Sequence, residues 1–194
     1  NYWSFYFLDD AGFLMNPDFE NLMKMIKKED IVYRAVARAD LITEEKVKLL
    51  SETGCKIMSM GIESGDDSIL AKCNKGMTTK DNEKAVELLH KYGIEIKGHF
   101  ILGLPGETKE TAYKTINFAK QLHTKGLAYA DFYILTPYPG APFLSSNKME
   151  IQIINHDYEN YWQTGKSMIR TEELSENDLE NLLIEAREEW KKLI

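Results

Sequence analysis

The sequence predicts an α/β fold built on a parallel sheet, with a helical tail at its C-terminal end. Three observations carry this expectation. Five apolar runs, residues 3–8, 31–37, 56–62, 94–102 and 131–136, read as strands. Helical periodicity separates them, so strand and helix alternate at spacings of about 25–40 residues, the signature of βαβ units and hence of parallel strands. The runs are also nearly continuously apolar, as strands covered on both faces are.

Each helix has a legible start or stop. Asn16 and Pro17 suit the cap and first turn of a helix that buries Phe19, Leu22, Met23 and Ile26 at helical spacing. A second helix follows Thr43 and ends at Gly54. A short helix follows Asp66 and presents Ile69, Leu70 and Cys73. The next follows Thr79, buries Ala85, Val86 and Leu89, and stops at Gly93. Another follows Thr108, buries Ala112, Ile116, Ala119 and Leu122, and stops at Gly126. From Gly140 the pattern changes: Pro139, Gly140 and Pro142 break the chain, and a polar, irregular stretch runs through Asn155 to Gly165. A last helix follows Ser175, with Asp178 placed for a capping box and Leu179, Leu182, Leu183, Ala186, Trp190 and Leu193 on one stripe. This implies two parts, a βα domain over residues 1–145 and a helical extension over 146–194 that docks on it.

Composition narrows the function. The chain has 194 residues, of which 43% are hydrophobic and 28% charged, enough for one domain with its own core. A formal charge of −7 counts against a broad nucleic-acid or anionic-membrane surface, both of which need a basic face. No apolar run approaches the ~20 residues needed to cross a bilayer. No signal peptide is visible, and the chain opens on Asn1 directly into an apolar strand, so the natural N-terminus is expected to lie further upstream. Two cysteines, Cys55 and Cys73, make no disulfide framework, which points to a reducing, cytoplasmic location. His90, His123 and His156 show no metal-ligand spacing, and His99 lies among apolar residues as packed histidines do.

Ligands of parallel βα folds bind where strands end and the following loops begin. Those places carry Asp9 and Asp10, Arg38, Glu63 with Ser64, Ile101 with Gly103, and Thr136, Pro137 and Tyr138. Taken singly each is an ordinary cap or turn residue; together they put carboxylates, an arginine and flexible glycines at one end of every strand. Arg38 suits a carboxylate, the acids suit an amino group or a ribose diol, and the ends of strands four and five suit a flat base. Arg34 shares the parity of Arg38 but lies deeper, where a salt bridge at the base of the sheet is expected. Residue chemistry alone leaves three readings open: an enzyme handling a zwitterionic nucleoside, a conventional barrel lyase or hydrolase using the strand-end acids, and a non-catalytic module.

The segments FLDDAGFLMNPDFENLMKMI, ARADLITEEKVKLLSETGCKIMSMGIESGDDSIL, NKGMTTKDNEKAVELLHKYGIEIKGHFILGLPGETKETAYKTINFAKQL and ILTPYPGAPF occur in that order. Over residues 5–144 they resemble successive blocks of the radical S-adenosylmethionine (SAM) superfamily. The similarity is to the branch, often carrying an N-terminal cobalamin-binding domain, that includes the oxidative cyclase of magnesium-protoporphyrin ester. The resemblance implies a partial (β/α) barrel of the radical SAM type, of which five parallel strands are present. It implies that Asp9 and Asp10 lie near the methionyl part of SAM, and Arg38, Glu63 and Ser64 near its carboxylate and ribose. Ile101, Gly103, Thr136, Pro137 and Tyr138 would form the adenine-side wall. Lys75, in the NKG block, receives no role, and Ala141 stands where the family often has threonine.

The family holds a 4Fe–4S cluster through C-x-x-x-C-x-x-C after its first strand. That motif is absent here, so the five strands are expected to match the family's second to sixth and the chain to hold no metal. The parent protein is then expected to use SAM, a 4Fe–4S cluster and an electron donor, with cobalamin in an upstream domain, on a small-molecule substrate the sequence does not name. The chain itself is expected to be inactive, and its first strand to be an exposed edge open to self-association.

Overall fold

The computed structural model describes residues 4–8, 12–140, 151–156 and 166–194. Its elements in chain order are β1 (Ser4–Tyr6), α1 (Gly12–Met15), α2 (Phe19–Lys28), β2 (Val32–Ala37), a 3-10 turn (Ala39–Leu41), α3 (Glu44–Glu52), β3 (Cys55–Glu63), α4 (Asp67–Lys72), α5 (Thr79–Lys91), β4 (Glu95–Leu102), α6 (Lys109–Thr124), β5 (Leu127–Ile134), β6 (Ile151–Ile153), β7 (Ile169–Thr171) and α7 (Glu176–Lys191). Strands β1 to β5 form one parallel sheet in the order β1-β2-β3-β4-β5, so each βα unit places its strand beside the last.

The caps behave as their chemistry dictates. Thr43 accepts the Lys46 N–H at the start of α3, and Asp66 accepts those of Ser68 and Ile69 at the start of α4. Ser175 and Asp178 form a reciprocal capping box at the start of α7. One start differs from expectation. α2 begins at Phe19 behind Asp18, because Asn16 spends its side-chain oxygen on the Asp18 N–H at 2.9 Å and closes a turn instead. Strand β5 opens at Leu127, four residues before the apolar run suggested, and the short β6–β7 pair was not legible at all.

Two compact units divide the chain. The first is Asn1–Ile62, Thr79–His99 and Gln121–Ala130; the second is Glu63–Thr78, Phe100–Lys120 and Asp131–Ile194. Strands β3, β4 and β5 each begin in the first and finish in the second. This division differs from a boundary near residue 145.

In the first unit α1, α2, α3 and α5 bury one side against the sheet. Phe13, Phe19, Met23, Val47, Leu50, Val86 and Leu89 are all buried. Phe7 and Phe13 stack with ring centroids 4.8 Å apart, and the Tyr33 hydroxyl pairs with Thr53 Oγ1 at 2.8 Å, so the buried phenol is not left unsatisfied. In the second unit α7 lies along α6. Lys109 pairs with Asp178 at 2.6 Å, the Tyr113 hydroxyl donates to Glu185 at 2.9 Å, and Lys120 pairs with Glu189. Leu179, Leu182, Leu183, Ala186 and Trp190 are buried beneath these contacts, whereas Leu193 is exposed. The tail is thus part of the second unit's core.

The expectation that both sheet faces are covered holds in the middle of β3, where Met58, Ser59 and Met60 are buried in succession, and is corrected on β2 and β4. Along β4 the pattern alternates: Ile96, Gly98, Phe100 and Leu102 are buried, while Lys97, His99 and Ile101 are half-exposed. β2 alternates likewise. One face of these strands is packed and the other only partly covered, and Lys97 stands on the latter. Arg34 is corrected too. It forms no ion pair among the described residues and lies over the Tyr6 ring, 3.7 Å from its centroid.

Candidate functional site

The end of β3 is a fixed turn. Glu63 closes the strand at φ +67°, a left-handed conformation uncommon outside glycine and costing on the order of 1 kcal/mol or more. The next residues hold it there. Ser64 is fully buried; its hydroxyl pairs with Thr115 Oγ1 at 3.1 Å and accepts the Asp66 N–H at 3.2 Å. Thr115 Oγ1 also accepts the Gly65 N–H at 3.0 Å and donates to the Thr111 carbonyl at 3.2 Å. Gly65 lies so close to α6 that a Cβ there would stand 2.5 Å from Phe118 Cβ and 2.7 Å from the Lys114 carbonyl oxygen. The loop is stitched to α6, and the Ser64 side chain is spent in the stitching: it positions its neighbours and presents nothing to a ligand.

Glu63 itself is only partly buried, and its Oε1 accepts from Lys75 Nζ at 2.6 Å. Lys75 sits between two left-handed residues, Asn74 at φ +51° and Gly76 at φ +69°, which form the turn that presents it. Lys75 had no role on the sequence. The flanking Asn and Gly were the available signal, since both tolerate positive φ. Asp66, partly buried, has burial raising its pKa, but hydrogen bonds from Ser68, Lys114 and two α4 amides outweigh this and lower it.

The end of β4 is closed by a residue the sequence did not single out. Glu107 is fully buried. Its Oε2 accepts the Gly103 N–H at 2.5 Å, the Leu104 N–H also bonds its carboxyl, and its Oε1 has no partner among the described residues. Burial pushes the carboxyl up to about 7, against the pull of those two amides. Gly103 adopts φ +83°, and a Cβ there would meet Leu179 and Ile169 side chains at 3.1 and 3.3 Å. One side of Gly103 is therefore roofed by the tail. The Gly-Leu-Pro-Gly-Glu spacing, a turn followed by an acid, was the signal for Glu107.

The remaining strand-end residues differ in how free they are. Arg38 is the first residue past β2 and bonds its own neighbour Asp40 through two prongs, Nε to Oδ1 at 3.0 Å and Nη2 to Oδ2 at 3.1 Å. Ile101 is half-buried on the open face of β4. Past β5, Thr136 Oγ1 lies 3.4 Å from the Ile134 carbonyl, Pro137 is buried, and Tyr138 is exposed with its N–H on the Thr136 carbonyl. Asp9 and Asp10 lie outside the described residues, as do Tyr158, Tyr161 and Trp162. Glu63, Ser64, Ile101, Gly103, Thr136, Pro137 and Tyr138 all fall in the second unit, and Arg38 in the first.

Neither thiol is prepared as a ligand. Cys55 opens β3 and is buried, which pushes its pKa up to about 12. Cys73 follows α4, and burial together with the carboxylates of Glu107 and Glu63 raises it to about 11. Among the described residues no three of His, Cys, Asp and Glu converge as a metal site.

The family model of the radical SAM superfamily matches residues 10–119. An uncharacterized methyltransferase of Pyrococcus horikoshii is 39% identical over 136 residues, 69% of this chain and 29% of that protein. The bacteriochlorophyllide d C-12(1)-methyltransferase of Chlorobaculum tepidum is 30% identical over 190 residues, 96% of this chain and 40% of that protein. An anaerobic magnesium-protoporphyrin IX monomethyl ester cyclase of Rubrivivax gelatinosus is 28% identical over 123 residues, 63% of this chain and 21% of that protein. The chain therefore spans no more than two fifths of the length of these relatives. In fold it resembles the radical SAM methyltransferase TsrM from Kitasatospora setae, a structure with cobalamin and a 4Fe–4S cluster bound. The TM-score is 0.61 at 21% identity, covering 68% of this chain and 27% of that one.

Proposed function

Because the chain belongs to the radical SAM superfamily, we propose that it is the SAM-binding portion of a methyltransferase-type radical SAM enzyme. The observation that carries the reading is the half-buried Glu63–Lys75 pair at the left-handed end of β3. A zwitterionic ligand needs opposite charges held side by side, and here they stand 2.6 Å apart on a backbone locked by Ser64 and Thr115.

The residues fit SAM. Glu63 and Lys75 offer an acceptor and a donor for its amino acid part or ribose, and Ile101 and the Thr136–Tyr138 backbone an apolar and hydrogen-bonding wall for its base. Gly103 contributes a close backbone approach on the side the tail does not cover. Arg38, in the first unit, and Asp9 and Asp10, outside the described residues, remain candidates on the resemblance alone. Bound SAM supplies an activated methyl group, and two methyltransferases among the relatives support methyl transfer as the reaction class.

A 4Fe–4S cluster does not fit this chain's residues. Two cysteines, one at the start of β3 and one after α4, cannot give three thiolates, and both are held protonated by burial. The thiolates of such a cluster, its electron donor and any cobalamin would come from other parts of the parent protein.

Two measurements test the proposal. Equilibrium dialysis of the chain against labelled SAM should show one site per chain, weakened at least about tenfold by Glu63→Gln, the loss of one charged hydrogen bond. Failure of a folded chain to bind SAM, or unchanged binding in the variant, overturns the assignment. Anaerobic iron and sulfide reconstitution should leave the chain without a stoichiometric four-iron centre.

A further inference from the structure

Glu107 is a fully buried acid outside the proposed set of ligand-binding side chains. Its two oxygens have different surroundings. Oε2 holds the Gly103 amide at 2.5 Å and the carboxyl also bonds the Leu104 amide, while Oε1 is sealed from solvent without a partner. A buried oxygen with nothing to accept from is tolerable as the O–H of a carboxylic acid and costly as half of a carboxylate. The proton therefore belongs on Oε1, and the amides belong on Oε2.

We infer that Glu107 is a positioning residue whose single proton governs how firmly the turn over residues 103–107 is held at the end of β4. With the proton on, the carboxyl ties Gly103 and Leu104 in the conformation seen here. With the proton off, a charge with one unpartnered oxygen sits in the core, and the turn must open or admit water to hydrate it. The groups around it do not offset that charge. Asp66, from the loop before α4, is an acid and adds repulsion. Cys73, at the end of α4, interacts with Glu107 only to be raised itself. Lys72 lies over Gly106, its Nζ nearest to where an added Cβ would stand, yet it is not among the groups that shift the Glu107 carboxyl. The tail presents Ile169 and Leu179 to Gly103, both apolar. Burial places the carboxyl's midpoint at about 7 against the ordinary 4.5, so the hold weakens as pH rises between these values and is weakest above about 7.

The consequence for SAM rests on the proposed function, in which Gly103 lies against the adenosine; the latch itself does not. Amide exchange of Gly103 and Leu104 should be followed by NMR from pH 5 to 8.5, corrected for intrinsic base catalysis, in the chain and in Glu107→Gln and Glu107→Ala. In the native chain protection should fall by up to about tenfold per pH unit as pH rises toward the midpoint of about 7, where opening releases one proton, and should level off above it. Glu107→Gln keeps an acceptor for the amides and cannot ionise, so its protection should be retained and independent of pH. Glu107→Ala should exchange fast throughout if it folds. A flat native profile, or a slope that survives in Glu107→Gln, overturns the inference. SAM affinity measured over the same pH range separates the two claims. A matching fall that Glu107→Gln abolishes supports both. An exchange slope without SAM binding leaves the latch standing and removes the cofactor reading.

Discussion

Replacing Thr115 by valine removes one hydroxyl and almost no volume, which makes it the sharpest probe of the stitch between β3 and α6. Thr115 Oγ1 accepts the Gly65 N–H at 3.0 Å and pairs with the fully buried Ser64 hydroxyl at 3.1 Å. In Thr115→Val the Gly65 N–H loses its acceptor and the Ser64 hydroxyl its partner on α6, keeping only the Asp66 N–H. A buried donor left unpaired costs about 1–3 kcal/mol, and the Ser64 hydroxyl, free to rotate, recovers part of its share, so the variant should lose about 2–4 kcal/mol. Ser64→Ala should cost less, about 1–2 kcal/mol, because it leaves only the Asp66 N–H short of an acceptor. In the double variant the two losses overlap, with a coupling of about 1 kcal/mol. Urea unfolding followed by circular dichroism measures this. With a slope of about 2 kcal/mol per molar, the Thr115→Val midpoint should fall by more than about 1 M. A Thr115→Val protein within about 0.5 kcal/mol of the native chain, or strict additivity in the double variant, would refute the idea that this hydroxyl holds the loop.

Stability should also depend on pH through Glu107. Its folded pKa of about 7 lies above the ordinary 4.5, so the folded state keeps a proton that the unfolded chain gives up. Stability is then greatest below about 4.5 with respect to this group and falls by about 3 kcal/mol as pH rises to 7; Glu107→Gln should abolish that fall in denaturant midpoints, and an unchanged profile would refute the assignment. Gly65→Ala should cost about 3 kcal/mol or more, because the clash is with α6 backbone. Gly93→Ala, at φ +71° with nothing within 4 Å, should cost only about 1 kcal/mol; thermal melts of equal midpoint would contradict this. The edge strand β1 exposes Phe5 and Tyr6, with Leu8 exposed just past it and Val32 on the neighbouring β2, so the chain is expected to self-associate in light scattering and Phe5→Lys to reduce it. A native chain monodisperse at its monomer mass at all concentrations removes that expectation.

The architecture was legible because its signals are local. Caps at Thr43, Asp66 and Ser175 and stops at Gly93 and Gly126 depend on one or two residues each, and the strand order follows from the βα alternation. Burial on the strands was harder to read, because alternation is hidden when open-face positions are themselves partly apolar, as Val36, Ile57 and Ile101 are. β6 and β7 escaped notice because three-residue strands carry no period. At the site the polar residues at strand ends were visible, but their partners were not. That Ser64 is consumed by Thr115, Glu63 held by Lys75 and Gly103 by Glu107 depends on contacts 51, 12 and 4 residues apart. A sequence shows the residue and conceals what it is bonded to.

The alternation along β4 bears on how such a chain can change. Ile96, Phe100 and Leu102 anchor the fold, and the residues between them, Lys97, His99 and Ile101, face away from that core. The half-exposed positions lose fewer packing contacts when exchanged than the buried ones, so substitution there costs the fold less. Fold and recognition share one strand yet answer to different selection, so a new preference among ligands can arise by substitutions two residues apart, without an inserted loop and without a compensating change beneath the helices.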